Sequence, residues 1–221
     1  VDFYDDMIGA AAGINSLRTT TNGGLNWIAH TGVIEFMFDL CAGISCTDPQ
    51  TFVGVVGSYP SYVIRTTNGG QNWSNYKNFF HLNGEIIRDM EMINNTGFIV
   101  SNNGRILKST TGGLNWSIDT SFMLPNPRGP LFKCVNMLDE NIIYLSGAGG
   151  AVLKSGNSGL NWNYLTGYQN DLTGVQFIND ITGYATGESG VFFKTTNSGS
   201  NWIENQTGFI KNLNSLHFTD V

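Results

Sequence analysis

Thr20-Thr21-Asn22-Gly23-Gly24-Leu25-Asn26-Trp27 is the first of five versions of one phrase, and the others close at Trp73, Trp116, Trp162 and Trp202, so every tryptophan in the chain ends a copy. Seven positions before each Trp stands a hydroxyl residue: Thr20, Thr66, Ser109, Ser155 or Thr195. Five positions before it come Asn22, Asn68, Thr111, Asn157 or Asn197. Glycine fills the third position back each time (Gly24, Gly70, Gly113, Gly159, Gly199), and an Asn directly precedes every Trp. These are the requirements of a tight β-turn. A hydroxyl and a short amide hydrogen-bond the turn's own backbone, and glycine takes the positive φ that a side chain resists. The Trp then enters a strand as a wedge, worth roughly 4–6 kcal/mol if about 150–250 Å² leaves water.

A second landmark precedes each phrase, an apolar pair separated by one residue: Val1/Phe3, Ile44/Cys46, Met90/Met92, Val135/Met137, Val175/Phe177 and, once more, Leu216/Phe218. Period two with one apolar face predicts a half-buried strand. A small, Gly-containing strand follows, then a strand entering the turn phrase, such as Tyr62-Val63-Ile64-Arg65, then the Trp strand. We letter these strands A to D. Four short antiparallel strands per repeat are the pattern of a β-propeller blade.

The phrase fits S/T-x-D-x-G-x-x-W with Asn or Thr in the Asp slot, and so resembles the Asp-box (neuraminidase-type, BNR) repeat of β-propellers. The longer wording Gly190-Val191-Phe192-Phe193-Lys194-Thr195-Thr196-Asn197-Ser198-Gly199 is similar to the photosystem II stability/assembly factor family, whose relatives occur widely in secreted bacterial proteins. The resemblance implies a secreted, extracellular or periplasmic setting and a scaffold or chaperone-like role in protein binding. The expected fold is all-β, a single propeller domain over 1–221. It has five near-complete blades, roughly 1–30, 40–77, 86–119, 131–166 and 172–206, and an extra inner strand begins another at 213–221. That surplus strand predicts a slice of a larger, six- to eight-bladed propeller within a longer chain or assembly.

Composition narrows the partners. With 11 basic against 17 acidic residues and a net charge of −6, the surface repels phosphate backbones, which argues against a nucleic-acid partner. No apolar run approaches the ~18 residues of a membrane helix, so no membrane insertion is expected. The three cysteines, Cys41, Cys46 and Cys134, read as buried thiols rather than a disulfide or metal ligands, and neither metal nor cofactor is expected. The arginine-rich surface of the assembly-factor family has no counterpart in this acidic chain.

Strand direction alternates, so the A–B and C–D turns share one face and the B–C and D–A connections share the other. From the first apolar residue of strand A to the Trp, the repeats differ by at most three residues, whereas from Trp to the next strand A they differ by up to six. Variation therefore concentrates on the D–A face, where loops can specialise over a constant frame. The binding candidates there are Tyr59, Tyr62, His81, Arg128, Tyr168 and Glu188, aromatic and polar groups suited to a protein or glycan; Phe79, Phe80 and Phe122 read as packing between blades. A sialidase would need converging arginines, but Arg18, Arg65 and Arg105 lie with Lys108, Lys154 and Lys194 on the strand leading into the turn phrase and read as scaffold. A xyloglucanase-like glycosidase would need two facing carboxylates; Asp89, Glu91, Asp171 and Glu188 lie near the right rim, and no spacing pairs them. The expectation is a non-enzymatic binding module, with a carbohydrate-active propeller as the alternative and no catalytic residue assigned.

Overall fold

The structure is a computed structural model that describes residues 1–34, 41–57, 61–76, 86–119, 131–166 and 170–218. Among the described residues, twenty strands form five four-stranded antiparallel sheets, each in simple up-and-down order. The first holds β1 (Asp2–Phe3), β2 (Gly9–Gly13), β3 (Ser16–Thr20) and β4 (Ile28–Ala29). The second holds β5 (Cys41–Cys46), β6 (Phe52–Val56), β7 (Tyr62–Thr66) and β8 (Ser74–Tyr76), and the third β9 (Ile87–Ile93), β10 (Thr96–Ser101), β11 (Ile106–Ser109) and β12 (Ser117–Ile118). The fourth holds β13 (Phe132–Met137), β14 (Ile143–Gly147), β15 (Val152–Ser155) and β16 (Asn163–Thr166), and the fifth β17 (Leu172–Phe177), β18 (Gly183–Gly187), β19 (Phe192–Thr195) and β20 (Ile203–Glu204). Two compact units divide the chain: Val1–Ile99 with Leu107–Ile118, and Val100–Ile106 with Asp119–Val221.

Burial follows the strand letters. Three of the B strands are buried on both faces: every residue of β6, β10 and β14 is buried, which matches their small and apolar runs such as Phe52-Val53-Gly54-Val55-Val56, while β2 and β18 are partly half-buried. D strands are short and solvent-facing, as β4, β12 and β20 show. The A strands alternate, and Ile44/Cys46, Met90/Met92, Val135/Met137 and Val175/Phe177 are all buried. The first pair departs from the expectation, with Val1, just before β1, 80% exposed and Phe3 40% exposed. Phe177 has Tyr144 stacked on its ring at 3.5 Å, whereas β1 is two residues long and Phe3 meets Trp27 edge-on at 5.9 Å.

The Trp phrase folds as its composition demands. Thr20 Oγ1 accepts from the backbone N–H of Gly24 at 3.0 Å and donates to Asn22 Oδ1 at 3.0 Å, while Asn26 N–H donates to Asn22 Oδ1 at 2.9 Å. The same bonds recur around Thr66/Asn68, Ser155/Asn157 and Thr195/Asn197. In the third copy the Thr111 hydroxyl replaces the amide oxygen and accepts from Asn115 N–H at 2.9 Å. Gly24, Gly70, Gly113, Gly159 and Gly199 all have φ between 78° and 89°, so a Cβ there is strained whatever the space. Each Trp stands one residue before its D strand; Trp116 and Trp202 are buried and Trp27, Trp73 and Trp162 half-buried.

This turn is tied to the A–B turn of its own sheet. Gly23 N–H donates to Met7 O, Gly69 to Gln50, Gly112 to Asn95, Ser158 to Asn141 and Ser198 to Ile181, all at 2.9–3.0 Å. The A–B turns are themselves Asx-capped, Asp5, Asp48, Asp139 and Asn179 each accepting two nearby N–H groups. In both units the C–D and A–B turns therefore lie together at one end of the sheet.

Neighbouring sheets are joined by a feature that the alternation hides. The residue between the two apolar positions of strand A is polar every time, and in two places within each unit its side chain bonds the next strand A. In the first unit Asp2 Oδ2 accepts from Cys46 N–H at 2.7 Å, and Ser45 Oγ from Met92 N–H at 3.0 Å. In the second, Asn136 Oδ1 accepts from Phe177 N–H at 2.8 Å, and Gln176 Oε1 from Phe218 N–H at 2.8 Å. We call these side chains pegs.

Candidate functional site

The opposite end, where B–C and D–A connections meet, is best described in the second unit. Strand β13 carries a bulge between Phe132 and Cys134 that leaves Lys133 as the extra residue. A bulge re-aims the side chain it carries. The Lys133 ammonium donates to Asp171 Oδ2 at 2.9 Å and lies 3.5 Å from Glu188 Oε1. Asp171 Oδ1 accepts from Gly149 N–H at 2.8 Å, in the 3₁₀ turn Ala148–Gly150 that joins β14 to β15. Glu188 opens the equivalent turn, Glu188–Gly190, between β18 and β19.

The hydrogen bond from Lys133, together with the Gly149 N–H, holds the Asp171 carboxyl below the usual carboxylate range against a smaller opposing effect of burial. A carboxylate held in that way accepts hydrogen bonds and is a poor proton donor. Two carboxylates share one ammonium, so the cluster is net anionic and partly exposed, with side-chain accessibilities of 26% for Lys133, 31% for Asp171 and 45% for Glu188. Exposed pairs of this kind stabilise a fold by only ~0–1 kcal/mol.

The connection after β20 lies across the second of these turns. Thr207 Oγ1 donates to Gly190 O at 2.8 Å, Ser189 N–H to Asn212 Oδ1 at 3.1 Å, and Leu213 N–H to Gly187 O at 3.0 Å. The segment presents Phe209, 66% exposed, and Ile210, 89% exposed, beside a largely apolar hollow of about 300 Å³ lined by Gly208–Leu213. Exposed apolar side chains thus stand on the segment that bonds the turn opened by Glu188, at the same end of the fifth sheet.

Of the residues expected to bind, Glu188 is partly exposed and belongs to this cluster. Tyr62 does not: it is fully buried as the first residue of β7, in the core around Ile44, Phe52 and Ile64. The inward face of a C strand claims its ring, and the expectation of an exposed contact is corrected. Tyr59, His81, Arg128 and Tyr168 lie outside the described residues, as do Phe79, Phe80 and Phe122. Of the four rim carboxylates, the structure brings together Asp171 and Glu188; Asp89 and Glu91 lie on β9, in the other unit. Lys133, Gly149, Asn170 and Asn212 escaped the sequence reading, although Asn170 donates its amide to Glu188 O at 3.3 Å. The available signal for Lys133 was its place two before Val135, where Ala42 and Thr173 hold the equivalent bulges.

The lysines on the C strands pack on their own sheets, and Arg65 reaches the turn of the next sheet. Lys154 lies 5.1 Å from the centre of the Tyr144 ring, Lys194 5.5 Å from Tyr184, and Lys108 5.8 Å from Phe98, while Arg65 Nε donates to Gly112 O. Such cation–ring contacts contribute on the order of 0.5–1 kcal/mol when exposed. None of the three cysteines forms a disulfide, and burial pushes the Cys41 and Cys46 thiols up to about 12, which leaves them unreactive near neutral pH. Among the described residues no three His, Cys, Asp or Glu side chains gather as a metal site would require.

No protein-family profile matches the sequence, and no curated protein does. Solved structures do. The structure titled "YCF48 bound to D1 peptide" is 18% identical with a TM-score of 0.51, over 92% of this chain and 78% of that one. The GH74 xyloglucanase from Xanthomonas campestris is 11% identical with a TM-score of 0.65, over 90% of this chain but 36% of the enzyme. U3-55K is 10% identical with a TM-score of 0.72, over 99% of this chain and 69% of that one. At these identities the likeness is one of fold, and it agrees with the five sheets: the chain is built of β-propeller blades.

Proposed function

We propose that this chain is a non-enzymatic binding module of the Asp-box propeller type, working outside the cell, that holds a protein partner on the face made by its B–C and D–A connections. The observation that carries this reading is the exposed Phe209 and Ile210 beside the Lys133, Asp171 and Glu188 cluster, since apolar anchors rimmed by oriented polar groups suit a protein interface. The Asp171 carboxylate, kept ionised, favours a partner that presents backbone N–H groups or a cationic side chain. Support also comes from the concentration of length variation in the D–A connections and from a neighbour whose title records a bound peptide.

The second reading, a glycoside hydrolase of the GH74 kind, has the pairing of Asp171 and Glu188 and the xyloglucanase likeness in its favour. Against it, Lys133 bonds Asp171 and lies against Glu188, and the same contact holds Asp171 away from the protonated form that a general acid needs.

Panning a random peptide display library on the whole chain tests the proposal. Selected peptides are expected to lose about tenfold in affinity, near 1.4 kcal/mol, with Phe209→Ala or Lys133→Ala and to be indifferent to Leu25→Ala on the turn-phrase end. Peptides insensitive to both site variants would overturn the binding face. Turnover of a β-glucan or fluorogenic sialoside that Glu188→Gln abolishes would overturn the non-enzymatic reading.

A further inference from the structure

Most recurring slots of the turn phrase have visible work in the fold: the hydroxyl and the residue two after it hold the turn by side-chain hydrogen bonds, the glycine takes a positive φ, and the Trp packs. The Asn directly before the Trp has no such task for its side chain. Its backbone N–H serves the turn, donating to Asn22, Asn68, Thr111, Asn157 or Asn197 at 2.9 Å, a bond that any residue but proline could make. The backbone at these positions is not left-handed, so asparagine is not needed for its tolerance of that region. Asn26, Asn72, Asn115, Asn161 and Asn201 are all exposed, and among the described residues none of their carboxamides has a partner.

The positions around this slot drift. Two before the Trp stand Leu25, Gln71, Leu114, Leu160 and Ser200, and one after it Ile28, Ser74, Ser117, Asn163 and Ile203. Exposed positions tolerate such exchange at little cost in stability. An exposed residue that recurs in every copy without a partner of its own is therefore accounted for by something outside the fold. A carboxamide offers two donors and an acceptor without charge. Beside three of the five lies an exposed leucine, Leu25, Leu114 or Leu160, and none of the phrases contains a charged residue in a chain that is 13% charged. Each later phrase also packs on the sheet before it. In the first unit a Cβ at Gly70 would come 3.2 Å from Thr19, and Arg65 Nε donates to Gly112 O at 2.8 Å; in the second a Cβ at Gly199 would come 2.6 Å from Leu165. The first unit thus presents Asn26, Asn72 and Asn115 from successive sheets, and the second Asn161 and Asn201.

The charges at this end narrow the ligand. The neighbouring A–B turns expose Asp5, Asp6, Asp48, Asp139 and Asp180 and carry no Lys or Arg. Such a surface repels nucleic acid, anionic glycans and a second copy of itself. It does not follow that it selects a polycation: the acidic positions change from turn to turn, and the third turn has Asn94 and Asn95 instead, whereas the amide before the Trp never changes. We propose that the turn-phrase end binds a neutral polysaccharide, the exposed Asn carboxamides bonding sugar hydroxyls and the leucines beside them lying against the C–H faces of the rings. A ligand that repeats along its length suits a surface that repeats, since several weak contacts engaged at once raise the apparent affinity. This site is separate from the partner-binding face at the opposite end of the sheets.

Native gel electrophoresis of the whole chain through gels containing mannan, xyloglucan, galactomannan or mixed-linkage β-glucan is the test, with polygalacturonate as the anionic control. Retardation is expected in at least one neutral polysaccharide and not in polygalacturonate. Changing Asn26, Asn72 and Asn115 together to Ala is expected to weaken the association at least about tenfold, while Phe209→Ala, on the opposite face, leaves it unchanged. Each single Asn→Ala variant should melt within about 2 °C of the parent chain. The proposal is overturned if no neutral polysaccharide retards the chain, if the triple variant is retarded as before, or if Phe209→Ala abolishes the effect. A melting midpoint lowered by several degrees in the single variants would give the Asn a structural task and overturn it too. Binding of soluble poly-lysine in place of every polysaccharide would assign this end to a cationic partner and do the same.

Discussion

At the scale of single residues, the five tryptophans share a sequence position and differ in burial. Trp116 is 8% exposed, packs in the core with Met92 and Leu107, and donates its Nε1–H to Gly113 O at 3.1 Å. Trp116→Ala is expected to cost about 3–5 kcal/mol in denaturant unfolding, whereas Leu25→Ala, at a residue 84% exposed, should stay within about 0.5 kcal/mol. Similar small losses for both would show that the indole does not act as a wedge. The hydroxyl, amide and glycine slots were legible in the sequence because each satisfies a local need within eight residues. Tyr62 was not, because alternation alone does not say which face of a C strand meets the core. Lys133 was missed for a related reason: the bulge that turns it toward Asp171 breaks the alternation by which strands are read.

At the scale of the element, strand A does two jobs. Its apolar pair packs the blade, and the polar residue between them joins one blade to the next. In a half-buried strand a polar residue at that position reads as solvent-facing, and its partner is some 41–47 residues further on, beyond any local pattern. The repeat nevertheless carried the signal, since Asp2, Ser45, Glu91, Asn136, Gln176 and His217 all occupy that slot. Asn136→Leu would leave the Phe177 N–H without its acceptor in a buried setting, at a cost of about 1–3 kcal/mol. Hydrogen exchange on the variant is expected to accelerate at the Phe177 amide while the amides of the turn Ser155–Trp162 keep their protection. Uniform acceleration across the second unit would mean that the peg has no local role.

For the molecule as a whole, acid should act in two steps. Burial lowers the affinity of His30 for a proton; its ring lies 5.9 Å from Trp73 and its Nε2 is 2.8 Å from Thr19 Oγ1. The unfolded chain therefore takes up a proton that the folded chain resists, and stability falls as pH drops below about 6.5. Asp171 works at lower pH. Its folded carboxyl is held below the ordinary value of 3.8, so the stability it contributes is full above that value and is lost as pH falls through the lowered one. Melting midpoints measured from pH 7.5 to 2.5 are expected to decline in both ranges, with His30→Asn removing the upper decline and leaving the lower. A profile that His30→Asn leaves unchanged would exclude this role for the ring. The β-propeller blades were plain in the sequence because the repeat is written five times; the proposed binding face was not, because its residues are the ones that differ from copy to copy.

The pegs also bear on how such a chain can grow. A cut made between a Trp and the following strand A releases a cassette with a backbone N–H socket at its front and a peg in the same strand for whatever comes next. Duplicating or excising one whole cassette rejoins both seams in a single event, since each new junction again brings a polar side chain to a waiting amide. Duplicating part of one leaves a seam unmatched. Copy number is then free to drift by whole cassettes, and blades from different parents can be spliced where socket and peg agree in length.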